Sequence, residues 1–161
     1  MKKVLSLLFV SSLLLSCVTD VKFNNPGFTA LKENFSWQSS LTNATVANGE
    51  ITIIAYKDLE TVTLKIPTPT TAITNTTPVT FKLGVLDQPS ARYTSTENGV
   101  VLQYATAKDI GDGEIVINEY NLSTKQISGT FRFNAKYTGS DATIPKNINF
   151  QRGNIYRIQI N

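Results

Sequence analysis

Residues Ile127 to Tyr137 constrain the fold more than any other stretch of this chain. Ile127, Gly129, Phe131, Phe133, Ala135 and Tyr137 fall at alternate positions, and Ser128, Thr130, Arg132, Asn134 and Lys136 occupy the places between them. Successive side chains of a strand point to opposite faces, so this pattern sets one face on a core and the other in water, as in an antiparallel sheet. Period-2 alternation recurs through the chain, and no window carries a run of apolar residues at helical spacing. The expected fold class is all-β.

Glu114 to Tyr120 reads as a second strand, joined to the first through the polar segment Asn121 to Lys125 as a hairpin. Ile51 to Tyr56 and Thr61 to Ile66 form another hairpin through Lys57-Asp58-Leu59-Glu60, with Val62, Leu64 and Ile66 on one face. Further strands are expected at Asn34 to Gln38 around Trp37, Val79 to Val85, Val100 to Ala105, Asn147 to Phe150 and Asn154 to Ile160. The total of roughly eight or nine, with turn signals between them, predicts an antiparallel β-sandwich, with a small β-barrel as the alternative. Nine of the twenty residues from Thr61 to Thr80 are threonine, and Pro67, Pro69 and Pro78 exclude a central strand there. This segment reads as a stiff crossover between two layers in preference to a binding loop or a modified stalk.

The first 17 residues, MKKVLSLLFVSSLLLSC, have a different character. Lys2 and Lys3 precede a short apolar run from Val4 to Leu15, and Leu14-Leu15-Ser16-Cys17 closes it with the only cysteine of the chain. A spanning helix needs about 20 apolar residues, more than this run supplies before polar Thr19, Asp20 and Lys22. An ordinary secretory leader would end in an A-x-A-like site. The segment resembles a bacterial lipoprotein signal peptide with its lipobox. That resemblance implies cleavage before Cys17, a diacylglycerol on its sulfur and an acyl chain on its new amino group. Several chains anchor a protein durably where a single one binds marginally. The expected organisation is therefore a signal peptide at 1–16, Cys17 with a tether to residue 27, and one β-domain over 28–161. The tether spans roughly 30 to 35 Å when extended.

The mature chain would hold 145 residues, enough for one domain with its own core. It would carry 13 basic and 12 acidic residues, a balance that gives no electrostatic basis for binding nucleic acid. Histidine is absent and Cys17 is the only cysteine. This composition excludes Ser-His-Asp and Cys-His nucleophiles and the usual zinc and copper ligand sets. No S-x-x-K spacing occurs, and most carboxylates sit at turns, so the chain reads as a non-enzyme that carries no cofactor beyond its lipid. The one metal candidate is Asp109-Ile110-Gly111-Asp112-Gly113-Glu114, where Asp109, Asp112 and Glu114 offer oxygen ligands for calcium; the spacing is not that of an EF-hand. Trp37 with the tyrosines at 56, 93, 104, 120, 137 and 156 would form a sugar-stacking platform if two or more rings were exposed together, and would fill the core otherwise.

Within residues 113 to 136, the run GEIVINEYNLSTKQISGTFRFNA resembles a group of small uncharacterised lipoproteins from Bacteroidota. The shared pattern is a G-x-I-x-I strand, a polar turn, I-S-G-T-F-x-F-x-A, and a last strand after a glycine, here Gly153-Asn154-Ile155-Tyr156. The likeness extends more weakly to Phe28, Trp37 and Ile51. It implies a β-rich domain at the outer membrane and brings no catalytic residues. Val18 stands where an inner-membrane retention signal would place aspartate, and Cys17-Val18-Thr19-Asp20-Val21-Lys22 holds a single acid where surface-exported lipoproteins often carry an acidic run. Both the periplasmic and the surface face stay open. The expected function is a membrane-anchored lipoprotein with a binding or envelope-structural β-domain; the alternative is a glycan-binding accessory module of a surface uptake system.

Overall fold

The computed structural model describes residues 27–161. The segments expected as signal peptide and tether, with Cys17 between them, fall within residues 1–26 and lie outside the described residues. Eleven strands follow one another: β1 (Gly27–Lys32), β2 (Phe35–Gln38), β3 (Leu41–Ala47), β4 (Glu50–Lys57), β5 (Glu60–Pro67), β6 (Val79–Leu83), β7 (Ser90–Glu97), β8 (Val100–Ala105), β9 (Asp112–Asn121), β10 (Gln126–Tyr137) and β11 (Asn147–Gln159). Their ladders are all antiparallel, and nine form a continuous path, β2-β1-β11-β10-β8-β7-β5-β4-β3. Strand β9 pairs with β10 and carries β6 on its other side.

The all-β antiparallel class is as expected, and the layers arise in a particular way. Residues 126–134 of β10 pair with β9, whereas Lys136 and Tyr137 at its end pair with Ala105 and Tyr104 of β8. One long strand thus belongs to two halves of a single sheet. The sheet curls until Ala44 of β3 meets Ile160, just beyond β11, where the Asn161 N–H donates to the Ala44 carbonyl at 2.9 Å. The result is a half-barrel whose halves face each other across one core.

Inward residues of both halves build that core. Phe28, Trp37, Phe133 and Phe150 are fully or almost fully buried, and Phe150 reaches Tyr93 of β7 with ring centroids 5.3 Å apart. The face expected for Ile127 to Ala135 is buried at every alternate position. Gly153 has a packing reason: the Phe131 ring lies across it, and a Cβ there would sit 2.5 Å from ring carbons. The threonine-rich segment leaves β5 in one half and enters β6 in the other, which makes it the crossover. Ile73 pins it, buried and exchanging backbone hydrogen bonds with Tyr120 at 3.1 and 3.0 Å.

Three strands were not legible as such. Strand β3 buries only Ala44, and β7 turns Ala91, Tyr93 and Ser95 inward, so neither shows an apolar stripe. Strand β1 adds a short third case, and its first residue, Gly27, expected to end the tether, already pairs with Tyr156. The two strands expected over 147–150 and 154–160 are one strand, β11. Its pairing with β10 shifts register between Ile127 and Gly129 and again between Phe131 and Phe133, and Arg152 and Arg157 both take left-handed φ near 49°. Each bulge inserts a residue and reverses which parity faces the core, so a single strand reads as two.

A polar clamp crosses the half-barrel. Lys32 of β1 pairs with Glu60 of β5 and donates to the Tyr93 hydroxyl at 3.0 Å, while the Trp37 indole N–H donates to the other Glu60 oxygen. Burial works to raise the Glu60 pKa, yet the hydrogen bonds from Lys32 and Trp37 outweigh it and hold the carboxyl below its ordinary range. Burial likewise works to lower Lys32, and its bonds to Glu60 and Tyr93 outweigh that and raise it. A depressed carboxyl stabilises the fold above its ordinary pKa and loses that contribution as pH falls; a raised amine loses its contribution only at high pH. Acid therefore isolates Glu60. The urea midpoint is expected to fall more steeply between about pH 6 and about pH 3 in the wild type than in Glu60→Gln. Equal slopes would show that the clamp is electrostatically idle.

Candidate functional site

On the outer face of β9, β10 and β11 a groove of about 270 Å3 runs between Asp112, Gly113, Arg132, Asn134, Asn149 and Arg152. The first bulge of β11 makes it. Phe131 pairs with Gly153 and Phe133 with Phe150, so Arg132 faces both Gln151 and Arg152. Bulges bend a strand and re-aim its side chains, and here two consecutive residues, Gln151 and Arg152, are exposed.

The polar side chains of the groove are ordered by one another. Asn134 donates from Nδ2 to Asp112 Oδ1 at 2.7 Å, and Asn149 donates from Nδ2 to Asn134 Oδ1. The Asn149 backbone N–H is in turn held by the Glu33 carboxylate. One row away, Glu114 accepts from Lys82 Nζ and from Arg132 Nε, the latter at 3.0 Å. Lys82 first and Arg132 second hold the Glu114 carboxyl below its ordinary range, so it stays an anion between two cations. Arg152 has no ion pair and no hydrogen bond among the described residues.

This arrangement offers fixed amides, one carboxylate acceptor and two guanidinium groups along one open groove. It can hold a hydroxylated or carboxylated ligand by hydrogen bonds.

The residues singled out in the sequence are dispersed. Asp109 is exposed in a turn, with φ near 60° and its N–H donating to the Gly84 carbonyl at 2.9 Å. Asp112 holds Asn134 in the groove, and Glu114 is engaged with its two cations. Among the described residues no three of the types His, Cys, Asp and Glu gather where they could hold a metal. Trp37, Tyr93, Tyr104 and Tyr120 lie in the core, and the half-buried Tyr56, Tyr137 and Tyr156 stand on three different strands. The aromatic platform is therefore not assembled. Cys17 lies outside the described residues. Of the groove residues, only Asp112 was a candidate from sequence; the others need the pairing across β9, β10 and β11, which no local pattern reveals.

Fold and groove together define a class: a small all-β domain with an open polar cleft on one sheet face. Over residues 24–159 the chain matches the family described as a domain of unknown function, DUF6252, and it belongs to that family. No curated protein and no solved structure matches it.

Proposed function

We propose that this protein is a lipid-anchored envelope protein of Bacteroidota whose β-domain binds a partner without catalysing a reaction. The observation that carries the reading is the lipobox pattern Leu14-Leu15-Ser16-Cys17, which holds the only cysteine of the chain and follows a basic, then apolar, leader. The lipid on Cys17 is the only non-protein group the reading needs, and the anchor is set at the outer membrane. The absence of histidine from the whole sequence supports a binding role over a catalytic one.

The fold suits a tethered domain. Gly27 pairs with Tyr156 at one end of β11, and the groove lies around Phe150, six residues or about 20 Å along the strand. A tether of roughly 30 to 35 Å would add to that distance and carry the groove clear of the headgroups. The near-neutral mature chain supports a protein or glycan partner over nucleic acid.

Detergent phase partition of whole-cell extracts tests the anchor. The wild type is expected in the detergent phase and Cys17→Ala in the aqueous phase. Protease treatment of intact cells in the same experiment then assigns the face: digestion puts the partner outside the cell, and protection until the outer membrane is opened puts it in the periplasm. Detergent partition of both forms would reject the lipid anchor.

A further inference from the structure

We propose that the groove between Asp112, Arg132, Asn134, Asn149 and Arg152 binds an acidic saccharide, a sugar ring that carries one carboxylate among its hydroxyls. The proposal rests on the binding-domain reading above and names the ligand class of that domain.

Three observations carry it. The first is an uncommitted guanidinium. Glu114 is shared by Lys82 and Arg132, Asp112 is committed to Asn134, Glu33 holds the Asn149 backbone N–H, and Arg152 has no partner among the described residues. Guanidinium forks match carboxylates in a paired geometry, so a ligand carboxylate has Arg152 to pair with while the acids around the groove stay engaged with their own donors.

The second observation is the state of the amides. Asn134 and Asn149 are locked head to tail between Asp112 and each other, which fixes their direction before a ligand arrives. Each retains hydrogen-bonding capacity beyond that chain: Asn134 the second proton of its amide nitrogen, Asn149 its amide oxygen. Alternating donors and acceptors in one row complement sugar hydroxyls, which are donors and acceptors at once. An apolar ligand would leave these groups unpaired, and a simple anion would leave the amides unused.

The third is size and shape. About 270 Å3 falls just below the range of small-molecule sites, which run from about 300 to about 1,000 Å3, and the groove is open. That size suits one sugar ring rather than a run of several.

The test uses the mature lipoprotein in detergent micelles, titrated with oligogalacturonate and with hyaluronan oligosaccharides, which present galacturonate and glucuronate respectively. Binding of at least one is expected, with neutral galactan oligosaccharides at least tenfold weaker, the loss expected from one charge-assisted contact. Arg152→Gln is expected to weaken the acidic ligand about tenfold or more while leaving the melting temperature unchanged. Arg92→Gln, at an exposed arginine on β7 in the other half, is expected to leave affinity as it was. Failure of both uronate ligands to bind, equal binding by Arg152→Gln, or equal binding of poly-glutamate would each overturn the proposal. The partition of the protein into detergent is independent of all of these, so the anchor and the ligand class fail separately.

Discussion

Trp37→Ala is expected to destabilise the domain by about 3–5 kcal/mol, the range for removing a fully buried aromatic side chain. Trp37 sits on β2, a four-residue strand that among the described residues pairs with β1 alone, so its hold on the sheet depends on what the indole touches. It is completely buried, edge-on to Phe28 at 5.9 Å and to Phe150 at 6.0 Å. Alanine would leave a cavity between β1 and β11 and would also strip Glu60 of its indole donor. The second loss can be measured alone: Trp37→Phe keeps a ring and removes the N–H, at about 1–3 kcal/mol for a partly buried acceptor left short of a donor. Urea unfolding with an unchanged m-value reads both. A cost under about 1 kcal/mol for the alanine variant would mean that β2 is not part of the cooperative core.

Gly113→Ala is the second large effect, for a backbone reason. Gly113 has φ near +138°, and a Cβ there would lie 2.2 Å from the Arg132 carbonyl oxygen and 2.7 Å from Phe133 Cα. Both atoms are backbone, so no side-chain rotation relieves the overlap. Holding a non-glycine residue in such a conformation costs about 1–3 kcal/mol, and forcing β9 away from β10 costs about 1–3 kcal/mol more. Gly113 also pairs with Leu83, so the displacement would spread to β6. The variant is expected to unfold at a clearly lower urea concentration. An unchanged midpoint would show that the β9–β10 ladder relaxes there at no cost.

The glycine that opens the G-x-I-x-I pattern thus has a structural explanation, and so does the alternation that follows it. The hairpins β4–β5 and β9–β10 were legible because an apolar stripe of period 2 needs only a core on one side. The stripe was absent from β3, whose residues Leu41 and Val46 are exposed and whose only buried residue is Ala44. It was broken in β11, where the bulges at Arg152 and Arg157 reverse parity twice within one strand. The number of strands was underestimated accordingly, and the sandwich became two halves of one curled sheet because β10 is long enough to pair with both β9 and β8. The groove was the least legible feature. Asp112, Asn134 and Asn149 are 22 and 15 residues apart along the chain and meet only through the registers of β9, β10 and β11. Asp112 stands out in the sequence as an acid in a glycine-rich loop, and its partner in the fold is the Asn134 amide.

The proposed lipid anchor is tested most directly at the first residue of the chain purified from membranes. Intact mass and N-terminal peptide analysis of the protein purified from membranes should show a chain that begins at Cys17, with the diacylglycerol and the amino-linked acyl group adding their mass to that residue. A chain that retains residues 1–16, or one that carries an unmodified Cys17, would contradict the lipid anchor and with it the placement of the groove beyond the membrane surface.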